Sequence, residues 1–167
     1  WLRALYQNGC TTRETGWLPQ FLLLRDTTGR ILAACPLYLK SHSWGEYVFD
    51  WAWADAYNQQ LATEHHQYYP KLVAAIPFSP ISGPRLLTHP ALPYPQQQEL
   101  KRVLLRLIEA RCKDLNLSSF HCLFLQKDDL EAVQHQRMLI RNSVQFHWSN
   151  QSVQPYKSFD AYLDSLQ

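Results

Sequence analysis

The sequence predicts an α/β (α+β) domain, a mixed sheet with helices on both sides, and three observations predict it. A hairpin pattern spans residues 20–40, a 3.6-residue apolar period spans residues 96–116, and short apolar strands fall on either side of that helix. The chain has 167 residues, of which 46% are hydrophobic and only 18% charged, so a solvated disordered segment is excluded. A chain of this length buries roughly 70% of its unfolded surface, enough for a true core. The formal charge is +2 and the Lys and Arg residues are scattered, so no basic patch argues for DNA. Nowhere does an apolar run reach the roughly 18 residues of a membrane span.

At the start, Leu2, Leu5 and Tyr6 mark a short helix closed by Asn8-Gly9. Residues 20–25, the turn Asp26-Thr27-Thr28-Gly29, and residues 31–40 form the hairpin. Its apolar runs Phe21-Leu22-Leu23-Leu24 and Ile31-Leu32-Ala33-Ala34 are nearly continuous, which predicts strands covered on both faces. Residues 41–60 are expected as a loop and then a helix, and residues 72–76 as a short strand before the proline-punctuated stretch 77–84. In the long helix Leu100, Val103, Leu104, Leu107, Ile108, Cys112 and Leu115 share a face, Pro95 suits its start and Asn116 its end. Residues 119–125 are predicted as a strand, 128–136 as a short helix opened by acids, and 138–148 as a final strand. Phe159, Leu163 and Leu166 recur at helical spacing up to Gln167, which points to one domain belonging to a longer protein.

Cys10, Cys35, Cys112 and Cys122 contain no C-x-x-C pair and match no zinc framework, so they are expected as small buried thiols of a reducing, cytoplasmic compartment. His65 and His66 are adjacent and do not share a helix face, and no metal site is expected. There is no H-E-x-x-H and no G-x-S-x-G. With five glycines in the chain, a glycine-rich phosphate cradle has little to be built from.

Three stretches combine residues suited to chemistry. In residues 45–57, if helical, Glu46, Asp50, Trp53 and Tyr57 fall at i, i+4, i+7 and i+11, roughly one face. Carboxylates beside the rings of Trp51, Trp53 and Tyr57 suit a cationic or amine ligand, and Glu46, Asp50 or Asp55 is a candidate base. The competing reading is aromatic packing with solvated acids at the rim. The second stretch runs from Tyr68-Tyr69-Pro70-Lys71 through a strand to residues 77–86. There Ser79 and Ser82 offer hydrogen bonds, Gly83 allows close approach and Arg85 offers an anion contact. The competing reading is a rigid connector with Arg85 in a surface ion pair. In the third, Val144-Gln145-Phe146-His147-Trp148, alternation sets Gln145 and His147 on one face, and His147 is a candidate proton carrier. His121 likewise opposes Phe120 and Cys122.

Pro36-Leu37-Tyr38-Leu39-Lys40-Ser41-His42-Ser43 is followed by Gly45-Glu46-Tyr47-Val48-Phe49-Asp50-Trp51-Ala52-Trp53-Ala54-Asp55-Ala56-Tyr57. Together they resemble a bacterial group of Fem-like or GNAT-like N-acyltransferases. Tyr68-Tyr69-Pro70-Lys71-Leu72, residues 77–87 and residues 144–148 resemble the same group in the same order. The resemblance implies a GNAT-like fold, a mixed and mostly antiparallel sheet flanked by helices, with this chain as the N-terminal half of a two-half protein. It implies transfer of an acyl or aminoacyl group, from acyl-CoA or aminoacyl-tRNA, to an amine-bearing small molecule or peptide. Glu46, Asp50, Asp55 and His147 are then the candidate catalytic groups. Trp51, Trp53, Tyr57, Lys71, Ser79, Ser82, Gly83, Arg85 and Gln145 are the candidate substrate contacts. The GNAT pyrophosphate signature R/Q-x-x-G-x-G/A is absent, and residues 77–85 do not replace it. A non-catalytic recognition domain for an amine, peptide or cell-wall fragment is the alternative.

Overall fold

The computed structural model describes residues 1–61, 63, 66–147, 149–150 and 155–166. Helix α1 (Leu2–Gln7) closes where Gly9 takes a φ of 69°, as the Asn8-Gly9 pair predicts. The hairpin that follows is longer and more bent than its sequence suggests. Its arms are β1 (Trp17–Pro19) with β2 (Leu22–Arg25), and β3 (Ile31–Cys35) with β4 (Leu37–Lys40). Both arms break at a proline, Pro19 and Pro36, which brings no N–H to a ladder. As a result the base of the hairpin, β1 and β4, belongs to one sheet, and its tip, β2 and β3, to another. Asp26 organises the tip, its Oδ1 accepting from Thr28 N (2.8 Å), Thr28 Oγ1 (2.6 Å) and Arg30 N (3.0 Å).

The first sheet has the order β1-β4-β5-β7, where β5 is Lys71–Ala74 and β7 is Phe120–Cys122. Its β1/β4 and β4/β5 pairs are antiparallel and β5/β7 is parallel. The second, antiparallel sheet has the order β2-β3-β6, with β6 only Leu87–Thr88. The parallel pair needs a crossover, which α3 (Tyr94–Asp114) supplies. Helices α2 (Trp51–Gln60), α4 (Lys127–His135) and α5 (Phe159–Asp164) complete the described elements. The domain is therefore a mixed α+β unit with helices flanking its sheets.

Period-two alternation divides the core. Leu37, Leu72 and Ala74 face α3, where they join Ala33, Cys35, Leu86, Leu104 and Ile108, and Ala132 and Val133 of α4. Tyr38, Val73 and Ala75 face the other way and pack with Trp17 and Leu123. Every residue of β5 is buried, because β4 and β7 flank both of its edges.

Four expectations are corrected. Strands β2 and β3 are not covered on both faces: Leu23 and Ile31 are exposed, and the doubly covered strand is β5. β1 and β6 were not predicted, being three and two residues long. In α3 the buried face includes Gln98 and Lys101, while Leu107 turns to solvent. The predicted strand at 138–148 is absent among its described residues, since no sheet edge pairs with the alternation there. Trp148 itself lies outside the described residues.

The two faces of α3 give a test. Leu104→Ala, at a fully buried position, is expected to cost about 2–5 kcal/mol in urea unfolding. Leu107→Ala, which the periodicity alone would class with it, is expected to cost less than about 1 kcal/mol.

Candidate functional site

Alternation on three neighbouring strands assembles the centre of the site. Lys40 ends β4 and Lys71 begins β5, and the two are cross-strand partners. Lys40 lies on the Tyr38 side of its strand and Lys71 on the Val73 side of its own. His121 on β7 stands opposite Val73. Three basic side chains thus share one sheet face, and two of them are lysines with no solvent exposure. Like charges placed directly across a strand pair repel, so this face needs anions.

The loop between β4 and α2 supplies them. Lys71 Nζ donates to Glu46 Oε2 at 2.9 Å and also to Asp50 Oδ2, with all three side chains fully buried. Asp50 further accepts from the hydroxyls of Tyr68 (2.8 Å) and Tyr69 (2.7 Å), whose rings meet edge to face. Lys40 Nζ lies 3.8 Å from the centre of the Trp17 ring and donates to Trp44 O at 3.1 Å, an oxygen that also accepts from Trp17 Nε1 at 3.2 Å. The loop is closed from the far side by the proline stretch. Phe78 N donates to Gly45 O at 3.1 Å, and a Cβ on Gly45 would lie 2.7 Å from the Phe78 ring, so only glycine fits that contact.

Burial and charge set the protonation of this cluster. Burial drives the Lys40 ammonium down to about 7, with Glu46 holding it up against the Lys71 charge. Burial raises Glu46 above the usual carboxylate range despite its contact with Lys71. For Asp50 burial also works upward, but the bonds from Lys71, Tyr69 and Tyr68 prevail and bring it down to about 2. His121, whose Nε2 meets Ser119 Oγ at 3.1 Å, is pushed down to about 4 by burial and then by Lys71. Glu46 keeps one buried oxygen, Oε1, without a hydrogen-bond partner.

The remaining candidate residues are placed as follows. Helix α2 starts at Trp51, so Glu46 lies in the preceding loop and Asp50 at the N-cap, and they do not share a helix face with Trp53 and Tyr57 as the spacing predicts. Asp55 points to solvent. Trp51 and Trp53 are about half exposed, and Arg141 stacks on Trp53 with 4.6 Å to the ring centre. Tyr57 is half-buried and its hydroxyl meets His66 Nε2 at 2.5 Å, while His65 lies outside the described residues. Ser79 is half-buried, Ser82 exposed, and Gly83 N donates to Phe124 O at 3.1 Å.

Arg85 departs most from expectation. It is 1% exposed, and its guanidinium donates to the main-chain oxygens of Leu123 (3.0 Å), Pro84 (3.4 Å) and Ile81. Its own N–H and that of Leu86 go to Asp129, which also holds Lys101 at 2.7 Å. This is a loop-locking network with no free fork for an anion, and neither a surface ion pair nor a ligand contact. Gln145 is exposed and reaches Pro80 O at 2.7 Å. His147 is exposed and sits on no strand. The histidine that reaches the cluster is His121, whose Nε2 is 3.4 Å from Tyr68 Oη. Lys40 is not among the residues expected at the site, although its alternation with Tyr38 is readable in the sequence.

A family model described as FemAB-like, peptidoglycan biosynthesis/recognition, matches residues 1–167. The chain belongs to the FemAB-like family. No curated protein and no solved structure matches it. Membership in the FemAB-like family ties this chain to peptidoglycan-related aminoacyl transfer or recognition. Among the described residues of this FemAB-like chain no helix is long and apolar enough to cross a membrane, and no cluster of His, Cys, Asp and Glu is suited to a metal.

Two outcomes follow from the buried cluster. Lys71→Met strands Glu46 and Asp50 as buried, uncompensated carboxylates and is expected to cost about 3–5 kcal/mol in chemical unfolding. His121 has a folded pKa of about 4 against an ordinary 6.5, so the unfolded chain binds its proton first as pH falls. The stability this group contributes is present above about 6.5 and is lost as pH falls toward about 4. His121→Gln is therefore expected to flatten the decline in melting temperature across that window.

Proposed function

We propose that this chain is an N-acyltransferase half-domain of Fem/GNAT type, the N-terminal half of a two-half protein. Its own part in moving an acyl or aminoacyl group to an amine is to recognise and hold the acceptor. The observation that carries this reading is the position of Lys71. Its ammonium already fills the space between Glu46 and Asp50, so these acids are neutralised from within and do not wait for a substrate amine. What the loop and the start of α2 offer outward is a row of rings: Trp44 at 71% exposure, Phe49 at 69%, and Tyr47, Trp51 and Trp53 near half. Phe49 and Trp51 lie 5.2 Å apart between ring centres. So many exposed rings within ten residues form a contact surface, and the cluster beneath holds it rigid. An amine-bearing peptide or cell-wall fragment suits that surface through its apolar area and through cation–π attraction.

The residues present do not fit the pyrophosphate of acyl-CoA. Pro77, Pro80 and Pro84 bring no N–H groups to the end of β5, and Arg85 is consumed by main-chain oxygens. We therefore assign the donor, acyl-CoA or aminoacyl-tRNA, to the other half. One observation favours a second reading, in which Glu46 accepts the proton that the attacking amine must lose. Glu46 Oε1 is buried without a partner, and its pKa is raised.

Kinetics of the intact protein separate the two. Trp51→Ala combined with Trp53→Ala is expected to raise KM for an amine-bearing muropeptide by about tenfold or more with kcat little changed, since exposed Trp anchors act through binding. Glu46→Gln lowering kcat alone, in a folded protein, would support the second reading and overturn the first.

A further inference from the structure

Independently of the surface just described, a cavity of about 390 Å³ opens on the opposite side of the first sheet. It lies between α3, the outer edge of β7 and the chain leaving α4. Leu105 and Cys112 of α3 form its buried floor, and Phe120 of β7 and Met138 its half-buried walls. Three polar residues also line it: Glu109, Gln136 and Arg137. Its size falls within the range of small-molecule sites, which combine apolar walls with a few polar groups.

The lining carries an unbalanced charge. Glu109 is already paired with Lys113 at 2.9 Å, one turn on along α3. The Arg137 guanidinium has no hydrogen-bond or ion-pair partner among the described residues. Its backbone is also unusual. Arg137 is the residue just past the α4 cap, with a φ of 54°, and it closes the helix with Arg137 N to Gln134 O (3.0 Å) and Met138 N to Val133 O (3.3 Å). That left-handed position favours glycine or asparagine, and the equivalent residue after α3 is Asn116 at φ 50°. A long cationic side chain here is a strained choice that helix closure does not require, and it adds an arginine to the residues that line an apolar cavity.

We infer that this cavity binds a small apolar carboxylate, a monoanion with an aliphatic or aromatic body. The guanidinium fork matches the two oxygens of a carboxylate, and the Gln136 amide can add a donor. A phosphate or other dianion fits less well, because one cation without an amide nest leaves it half neutralised. A cationic amphiphile meets like charge.

Met138 is the single methionine of the chain, so its methyl group gives one NMR signal from inside the cavity. Hexanoate and phenylacetate are expected to shift that signal saturably, while hexylamine and inorganic phosphate leave it in place. Arg137→Gly relieves the left-handed strain and removes the cation together with its methylene stem. It should weaken hexanoate binding about tenfold or more without lowering the melting temperature, and Arg137→Lys should retain part of the affinity. An unmoved methyl signal, equal shifts from hexylamine, or undiminished hexanoate binding by Arg137→Gly would each overturn the inference.

Discussion

The Lys71 ammonium, held between two buried carboxylates, is the interaction on which the rest of this face depends. It begins β5, a strand whose every residue is buried, and it stands beside a second buried lysine in register. A sheet end carrying two buried cations is unfavourable alone, and the loop that brings Glu46 and Asp50 makes it tolerable. The dependence runs both ways, since a loop with two buried acids has no reason to fold down without the lysines. Tyr68 and Tyr69 complete the enclosure by donating to Asp50, and burial together with that carboxylate keeps both phenols protonated well above the usual tyrosine range. Above this enclosed base the rings of Trp44, Tyr47, Phe49, Trp51 and Trp53 stand exposed.

A second buried cluster does comparable work at the other end of β5. Arg85, Asp129 and Lys101 tie the proline stretch to α3 and α4. Both clusters satisfy main-chain or charged groups that would otherwise be stranded away from water. The prolines there restrict the backbone and remove donors, and Arg85 supplies donors from its side chain to the oxygens that remain. An arginine in a Ser-Gly-Pro-Arg turn resembles a ligand contact in sequence, and the fold uses it as a brace.

Much of the architecture was legible because it rests on periodicity. The long helix, the hairpin turn at Asp26, the strand through Val73 and the acid-opened α4 all announce themselves by spacing. The elements that escaped are those whose existence depends on a neighbour. β1 and β6 are too short to carry a pattern and exist because β4 and β3 offer an edge. Residues 139–147 show the converse, an alternating pattern with no edge to join. Within the site, Glu46 and Asp50 were singled out from their residue type, and Lys71 as a substrate contact in a stretch that carries the family resemblance. Their meeting was not legible, since the two acids were expected along one helix face and Lys71 lies beyond α2, 21 residues after Asp50.

From the sequence alone came an α+β domain with a real core, the identity of the long helix, and the aromatic–acidic stretch as the part to examine. These follow from local rules, the repeat of apolar side chains and the chemistry of turns, which need no knowledge of distant contacts. Tertiary structure alone decided that the stretch turns Glu46 and Asp50 inward and sets Tyr47, Phe49, Trp51 and Trp53 outward. It also decided that His121 rather than His147 approaches the cluster, and that Arg85 faces its own backbone. The physical reason is common to all three: which way a polar side chain turns is set by whether a countercharge or an open carbonyl waits for it across the fold, and the partners here lie many residues away along the chain.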